Sequence, residues 1–404
     1  MSATPLQRTP WGILLVASAL LMVTMGVRQT SGLLIDPIHV STGLGIAQIS
    51  FSLAIGQLVW GAVQPVFGAL ADQRGPLPVL VGGGLLLAAG LALATWVPTA
   101  WGLNLSFGLL LAAGAGAGSF SVLIGASSWR IPPARRSMAA GIINAGGSLG
   151  QFLFAPLVQM LLTAFGWVRT LYALAAIVLV SLPLAWPLRQ RAPRVEGGAD
   201  GEALGVQLRR ALRDRSYWCL HLGFFTCGVH IAFLVTHLPG EIALCGLSPT
   251  VSSISLALIG LFNVAGSLII GALGERFRMK WLLFWMYLSR AVLIMVYLLS
   301  PPTPTTFYLF SAALGFTWLA TVPPTAGLVG KLFGPRHMGT LFGLTLLSHQ
   351  IGGFFGAWLG GVALEHGGDY SWMWYGDMVL AALAALVNLP IREQAPRPAA
   401  LAAS

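Results

Sequence analysis

Charge is the scarcest commodity in this chain. Only 8% of its 404 residues are Asp, Glu, Lys or Arg, against about 25% in a soluble globular protein. A surface that faces water on all sides is excluded. Cysteine is nearly missing too. Cys219, Cys227 and Cys245 have no metal-ligand spacing and form no disulfide framework. Cys219 and Cys227 fall in a hydrophobic stretch and read as small apolar fillers. No P-loop, metal cluster or nucleophile elbow is present, so nothing supports an enzyme, a cofactor or a metal centre.

What the chain does have is apolar length. Hydrophobic residues make up 56%, and a membrane-spanning helix needs about 20 mostly apolar residues in a row. Twelve such segments can be cut: 11–35, 46–71, 77–96, 101–124, 138–164, 169–188, 217–239, 249–273, 281–299, 306–328, 340–364 and 372–391. The first is too long for a cleaved signal peptide, and it lacks a basic leading cluster and a small-residue cleavage site. The expected class is an all-α membrane protein.

The net charge of +10 takes its meaning from where the charges sit. With the N-terminus inside, Arg8, Arg74, Arg130, Arg135, Arg136, the arginines from Arg189 to Arg215, Arg276, Arg278, Lys280, Lys331, Arg336, Arg392 and Arg397 all fall in inner loops. Only Arg169 falls outside. That is the positive-inside pattern, so the basic balance reports topology and gives no support to a nucleic-acid partner. Both termini are expected in the cytoplasm, and a bacterial inner membrane is the expected location.

One long polar stretch interrupts the pattern. "RAPRVEGGADGEALG" reads as a flexible linker and "VQLRRALRDRSYW" as a basic amphipathic helix on the inner membrane face. It splits the chain into residues 1–188, a linker at 189–216 and residues 217–404, with six segments on each side. The two sides echo each other. "GALADQRG" (Gly68 to Gly75) answers to "GALGERFR" (Gly271 to Arg278), and "GIINAGGSLG" (Gly141 to Gly150) to "GLTLLSHQIG" (Gly343 to Gly352). A parallel repeat of two six-helix units is a transporter pattern.

At these residues the sequence resembles the major facilitator superfamily. "GALADQRG" is similar to that family's loop signature after the second helix, with Gly68, Leu70, Asp72, Arg74 and Gly75 matching and Pro76, Leu77 and Pro78 replacing the usual basic residues. The resemblance implies two pseudo-symmetric six-helix bundles, a monomer, and a cytoplasmic gate at Asp72 and Arg74 with Glu275 and Arg276 at the repeat position. Within the family, "RQTSGLLIDPI", "SLAIGQLVWGAVQPVFG" and "SHQIGGFFGAWLGG" are most similar to the monocarboxylate-transporter and oxalate/formate-exchanger branch. That branch often grips a carboxylate with an arginine in helix 8. Here helix 8 has none, only Asn263 and Ser267.

Attention therefore moves to the cations elsewhere. An arginine at the bilayer centre costs roughly 2.5–3.5 kcal/mol on insertion scales, and two arginines lie well inside segments, Arg28 and Arg290. Arg28, in "MGVRQTSG", sits past the middle of the first segment and is the expected anion ligand. Arg290, in the peripheral ninth segment, is expected to cap carbonyls or hydroxyls of a neighbour. His230 and His349 fall near the midplane and titrate in the physiological range, which makes them candidates for a coupling proton. His237 shares a face with His230 and is a candidate for an outer gate. Gln57, Gln64, Asn144, Gln151, Asn263 and Gln350 suit a polar path between the halves. Gly352, Gly356 and Gly360 form a small-residue packing stripe. No acid is placed deep in a span: Asp36 and Asp377 fall near outer ends, and Asp72 and Glu275 in inner loops.

The expected function is alternating-access transport of a small organic anion, monocarboxylate-like and proton-coupled. Arg28, Gln57, Asn263, His349 and Gln350 would form the substrate site, and His230 or His349 would carry the proton. The alternative is export of a neutral or amphipathic compound through a pocket lined by Trp60, Phe233, Phe262, Phe316 and Trp318.

Overall fold

A backbone in hydrocarbon has to satisfy its own polar groups, and the chain does so with helices alone. The computed structural model describes residues 11–128, 130, 136–190, 204–334 and 338–393, and among them there is no strand. The first half holds α1 (Trp11–Gln29), α2 (Ile35–Thr42), α3 (Ile46–Arg74) and α4 (Pro76–Trp96). It continues with α5 (Ala100–Leu103), a π-helical stretch Asn104–Leu111, α6 (Ala112–Ala117), α7 (Phe120–Ser128) and α8 (Arg136–Ser181). The short α9 (Leu204–Arg213) precedes the second half. That half comprises α10 (Arg215–Leu244), α11 (Pro249–Arg276), α12 (Met279–Leu299), α13 (Pro304–Thr317), α14 (Val322–Phe333), α15 (Met338–Gly367) and α16 (Ser371–Asn388).

Among the described residues, nine stretches are long and apolar enough to cross a membrane. One of them, Gly141–Leu188, is really two spans. It folds at Gly166, whose φ of 73° is open to glycine at little steric cost. Together with the long helices α15 and α16, these runs are consistent with the twelve expected segments. The joints differ from the expected segments in physical ways. The first span does not stop at 35. A 3-10 turn, Ser31–Leu34, joins α1 to α2, so the helical run reaches Thr42. Arg28 therefore sits about two residues from the middle of a 32-residue span rather than toward its outer end. The tenth span breaks between Thr317 and Val322.

The two halves repeat one packing scheme. In the first, α1 lies along α8, with Gly146 against the Ser18 backbone and Gly150 against Met22 O. In the second, α10 lies along α15, with Gly352 against Phe225 O and Gly356 against Val229 O. The glycine stripe of the eleventh span thus does what its spacing implied: it lets two backbones meet. The sequence echoes land at equivalent places, "GALADQRG" ending α3 and "GALGERFR" ending α11.

Alternation of the spans puts Arg74, Arg130, Arg189, Arg213, Arg215, Arg276, Arg278, Lys331 and Arg392 at one face, and Arg169 at the other. On the arginine-rich face, α9 buries Ala211 and Gln207 and exposes Val206 and Leu212. Gln207 donates to Phe333 O at 2.5 Å, tying α9 to the end of α14.

Two antiparallel helix pairs join the halves. Along α3 and α15, Ala47 N donates to Glu365 Oε2 at 2.8 Å, Gly361 abuts Ser50, Gly353 abuts Gln57, and Gly61 abuts Gln350. Two turns further toward the arginine-rich face the same register would pair Gly68 with Gly343. Neither has an atom of a described residue within 4 Å of where a Cβ would stand. Along α8 and α11, Gly260 abuts Gln151, and Asn263 donates to Ser148 Oγ at 2.9 Å. Beyond them, toward the arginine-rich face, Gly141 again meets no atom of a described residue. The halves are therefore closed together at the arginine-poor face and part toward the other.

Candidate functional site

The seam between α3 and α15 brings together three of the predicted polar residues, Arg28, Gln57 and Gln350. Arg28 leaves α1 toward α3. Its Nη2 donates to Gln57 Oε1, and its guanidinium carbon stands 4.1 Å from the centroid of the Trp60 ring. Trp60 follows Gln57 by three positions on α3, so both fall on one face. A flat cation over an indole is a favourable stack, strengthened when water is partly excluded. Among the described residues no carboxylate pairs with Arg28. The guanidinium lies close to the span's midpoint, half-buried, held by an amide and a ring that leave its charge unbalanced.

Gln57 carries the site to the second half, because Gly353 of α15 packs on its side chain and Gln350 of the same helix lies across Gly61. Gln350 is 2% exposed and its Oε1 has no partner among the described residues. Trp60 Nε1 and both polar atoms of Gln151 are likewise buried without a partner. Buried polar atoms are rarely left unpaired, since each costs about 1–3 kcal/mol. Of these, Gln350 and Trp60 belong to the α3–α15 seam that holds Arg28, and Gln151 to the α8–α11 seam.

The remaining predicted residues divide. His349 neighbours Gln350, with Nδ1 and Nε2 respectively 3.3 Å apart, and its ring stands 5.0 Å from that of Phe224. It turns into the second half, beside Cys227. Asn263 is at the other seam. Its Nδ2 donates to Ser148 Oγ, and its Oδ1 accepts from Leu319 N at 3.0 Å and from Ser267 Oγ at 3.3 Å. Asn263 thus ties α8, α11 and the tenth-span break together, with both polar atoms engaged. Gln64 accepts from Ser121 Oγ at 2.9 Å. Arg74 and Arg276 are exposed in the last turns of α3 and α11. The side chains of Asp72 and Glu275 lie outside the described residues.

Several readings need correction. Asp377 is not an end-of-helix acid. It is 2% exposed, and its Oδ2 lies 2.5 Å from His230 Nδ1, at the middle of α10. Its place in the second turn of α16 suggested the helix end, but that turn packs beside the middle of α10, where His230 stands. Cys227 is more than filler, since Arg290 Nη1 donates to its sulfur at 3.2 Å. Arg290 caps carbonyls as expected: Nη2 donates to Thr317 O, and to Trp318 O at 2.6 Å. Those carbonyls end α13, where the helix dipole is negative and a cation is favoured. His237 is no free gate. Its Nε2 contacts Ala357 O at 2.6 Å with its ring against Gly360, so it fastens α10 to α15. Phe233 and Trp318, proposed for an apolar pocket, are 1% and 0% exposed in the core of the second half.

Sequence reasoning missed Trp60 as the cation's partner and Asp377 as a midplane acid. The i,i+3 spacing of Gln57 and Trp60 was the available signal for the first. A cavity of about 300 Å³ lined by Arg213, Asp214, Arg215, Ser216, Pro390 and Arg392 sits at the foot of α10 and not in the seam.

Comparison with known proteins agrees with this architecture. The family model "Major Facilitator Superfamily" matches residues 14–356 and again 245–403. Monocarboxylate transporter 13 of Bos taurus is 29% identical over 392 residues, covering 94% of this chain and 89% of the relative. The oxalate:formate antiporter of Oxalobacter formigenes is 24% identical over 367 residues, covering 88% and 86%. Among solved structures, a D-xylose-proton symporter superposes with a TM-score of 0.75 at 15% identity, covering 96% and 98%. A bacterial homologue of the lysosomal transporter Spinster, in an inward-facing occupied conformation, gives 0.71 at 15% identity, covering 96% and 94%. With a family model spanning nearly the whole chain and a fold of two repeated bundles closed at one face, the protein belongs to the major facilitator superfamily of membrane transporters.

Proposed function

We propose that the protein carries a small organic anion, monocarboxylate-like, across the membrane by alternating access with a coupled proton. The observation that carries this reading is Arg28: a guanidinium at mid-span, stacked on Trp60, bonded to Gln57 and balanced by no described carboxylate. A cation left unbalanced at that depth is costly, and a bound carboxylate offsets the cost through charge-assisted hydrogen bonds. Trp60 Nε1, in the ring under the guanidinium, is a further donor without a partner among the described residues. The relatedness to a monocarboxylate transporter and an oxalate:formate antiporter supports the same cargo class.

Assigning the arginine-rich face to the cytoplasm follows the positive-inside rule and makes this conformation inward-facing. The opposite conformation needs α3 and α15 to close between Gly68 and Gly343, bringing the "GALADQRG" and "GALGERFR" ends into play as a latch through Asp72, Arg74, Glu275 and Arg276. The location proposed is a bacterial inner membrane.

The test is uptake of labelled lactate, pyruvate, acetate and oxalate into proteoliposomes under an imposed pH gradient. Uptake of at least one acid above empty vesicles, accelerated by the gradient, is the expected result. Transport of none of them, or an equal rate for their uncharged amides, contradicts the reading.

A further inference from the structure

His230 and Asp377 are 1% and 0% exposed in their side chains, and each has one polar atom to spare. His230 Nε2 and Asp377 Oδ1 have no partner among the described residues. A buried ion pair repays its desolvation only when further hydrogen bonds satisfy both groups, and two apolar side chains commonly hold helices as well or better. Fastening α10 to α16 therefore does not by itself account for an acid and an imidazole here. What such a pair does, and apolar residues do not, is hold or release one proton without moving the backbone.

The groups around the pair decide what that proton would do. On α10, Cys227 stands one turn before His230, and His237 two turns after it. From α12 come Arg290, which donates to Cys227, and Tyr287, whose ring lies 5.4 Å from the guanidinium. From the tenth-span break comes Trp318, with its ring 6.0 Å from that of His230, and α15 brings His349 beside Cys227. Toward the arginine-poor face, α16 contributes Trp374, which with Phe233, Tyr297 and Phe310 forms a ring cluster, and Tyr370, whose hydroxyl lies 3.4 Å from His237 Nδ1. Beyond that cluster Tyr297 donates to Glu241 at 2.6 Å.

Charge can be counted across this set. With neutral imidazole and ionised carboxylate the pair carries one negative charge, which offsets Arg290. With one more proton the pair is neutral overall, and Arg290 is left unbalanced. The second half then holds a surplus positive charge that an anion in the adjoining seam would offset. Gln350, His349 and Cys227 run from that seam to Arg290 and, one turn along α10, to His230.

We propose that the His230–Asp377 pair is the coupling-proton site, so that the anion and the proton each favour the other's binding. This rests on the proton-coupled reading above and assigns its proton to a particular place. The experiment compares pH-gradient-driven uptake with counterflow, which exchanges labelled for unlabelled acid with no net proton movement. The probe is whichever of lactate, pyruvate, acetate and oxalate the wild type accumulates fastest.

Asp377→Asn is expected to lose gradient-driven accumulation at least tenfold and to keep counterflow. The double variant His230→Leu with Asp377→Leu, an apolar pair that keeps the helices packed, is expected to do the same. Asp377→Glu, which still binds a proton, is expected to keep both activities. Gradient-driven accumulation in either proton-less variant overturns this inference and leaves the proposed function standing. Loss of counterflow in all three variants makes the pair structural and overturns it as well. A wild type that ignores the gradient overturns the proposed coupling and this site together.

Discussion

Gly61 on α3 faces Gln350 on α15 so closely that a methyl group at Gly61 would run into the Gln350 side chain. Among the glycine contacts of these two helices it is the one nearest the arginine-rich face. In the proposed alternation it is the level about which the halves pivot, because Gly68 and Gly343, two turns on, meet no atom of a described residue.

Gly61→Val is accordingly expected to slow transport tenfold or more. Overpacking at a tight contact costs about 1–3 kcal/mol, and here the cost falls on the seam that moves. Gly82→Val, on α4 where no atom lies within 4 Å, is the matched control and is expected to transport normally. Initial uptake rates of the two variants decide between them, and equal rates would mean that the seam does not bear on turnover.

Spin labels at Gly68→Cys and Gly343→Cys, with Cys245→Ser to remove the partly exposed native thiol, are expected to give a long interlabel distance without ligand. Addition of a transported acid should populate a second, shorter distance as the arginine-rich ends close. A single unchanged distance would contradict alternating access about this seam.

Arg290 is expected to matter for the fold before it matters for cargo. Arg290→Met leaves the carbonyls of Thr317 and Trp318 without their donor, at about 1–3 kcal/mol for each buried group. Thermal unfolding in detergent should shift down by several degrees, and binding of acid at temperatures where the variant is folded should weaken less than in Arg28→Gln. Loss of binding without loss of stability would place Arg290 among the cargo ligands.

Much of this architecture could be read from residue order. The glycines of α15, the two "GAL" echoes and the one-sided arginines each report a constraint that is local in sequence: spacing, repetition, or charge at a helix end. Arg28 could be found because an arginine in an apolar run is costly wherever it points. Its depth could not, because the turn at Ser31–Leu34 continues the helix through polar residues that look like a span's end. Asp377 was hidden for a related reason. Its burial depends on how far α10 rises before it meets α16, a tertiary distance that no periodicity encodes. Asn263 shows the converse, since an amide in a span is as suited to tying helices as to holding cargo, and its partners come from two other helices.

The account depends most on Arg28, and the direct measurement is calorimetric binding of a small acid and its uncharged amide to purified wild type and Arg28→Gln. The account predicts that wild type binds the acid and not the amide, and that Arg28→Gln weakens acid binding at least tenfold, in line with about 1.5–3 kcal/mol for hydrogen bonds to a charged group. Equal affinity for the acid in both proteins, or equal affinity of wild type for acid and amide, would contradict it.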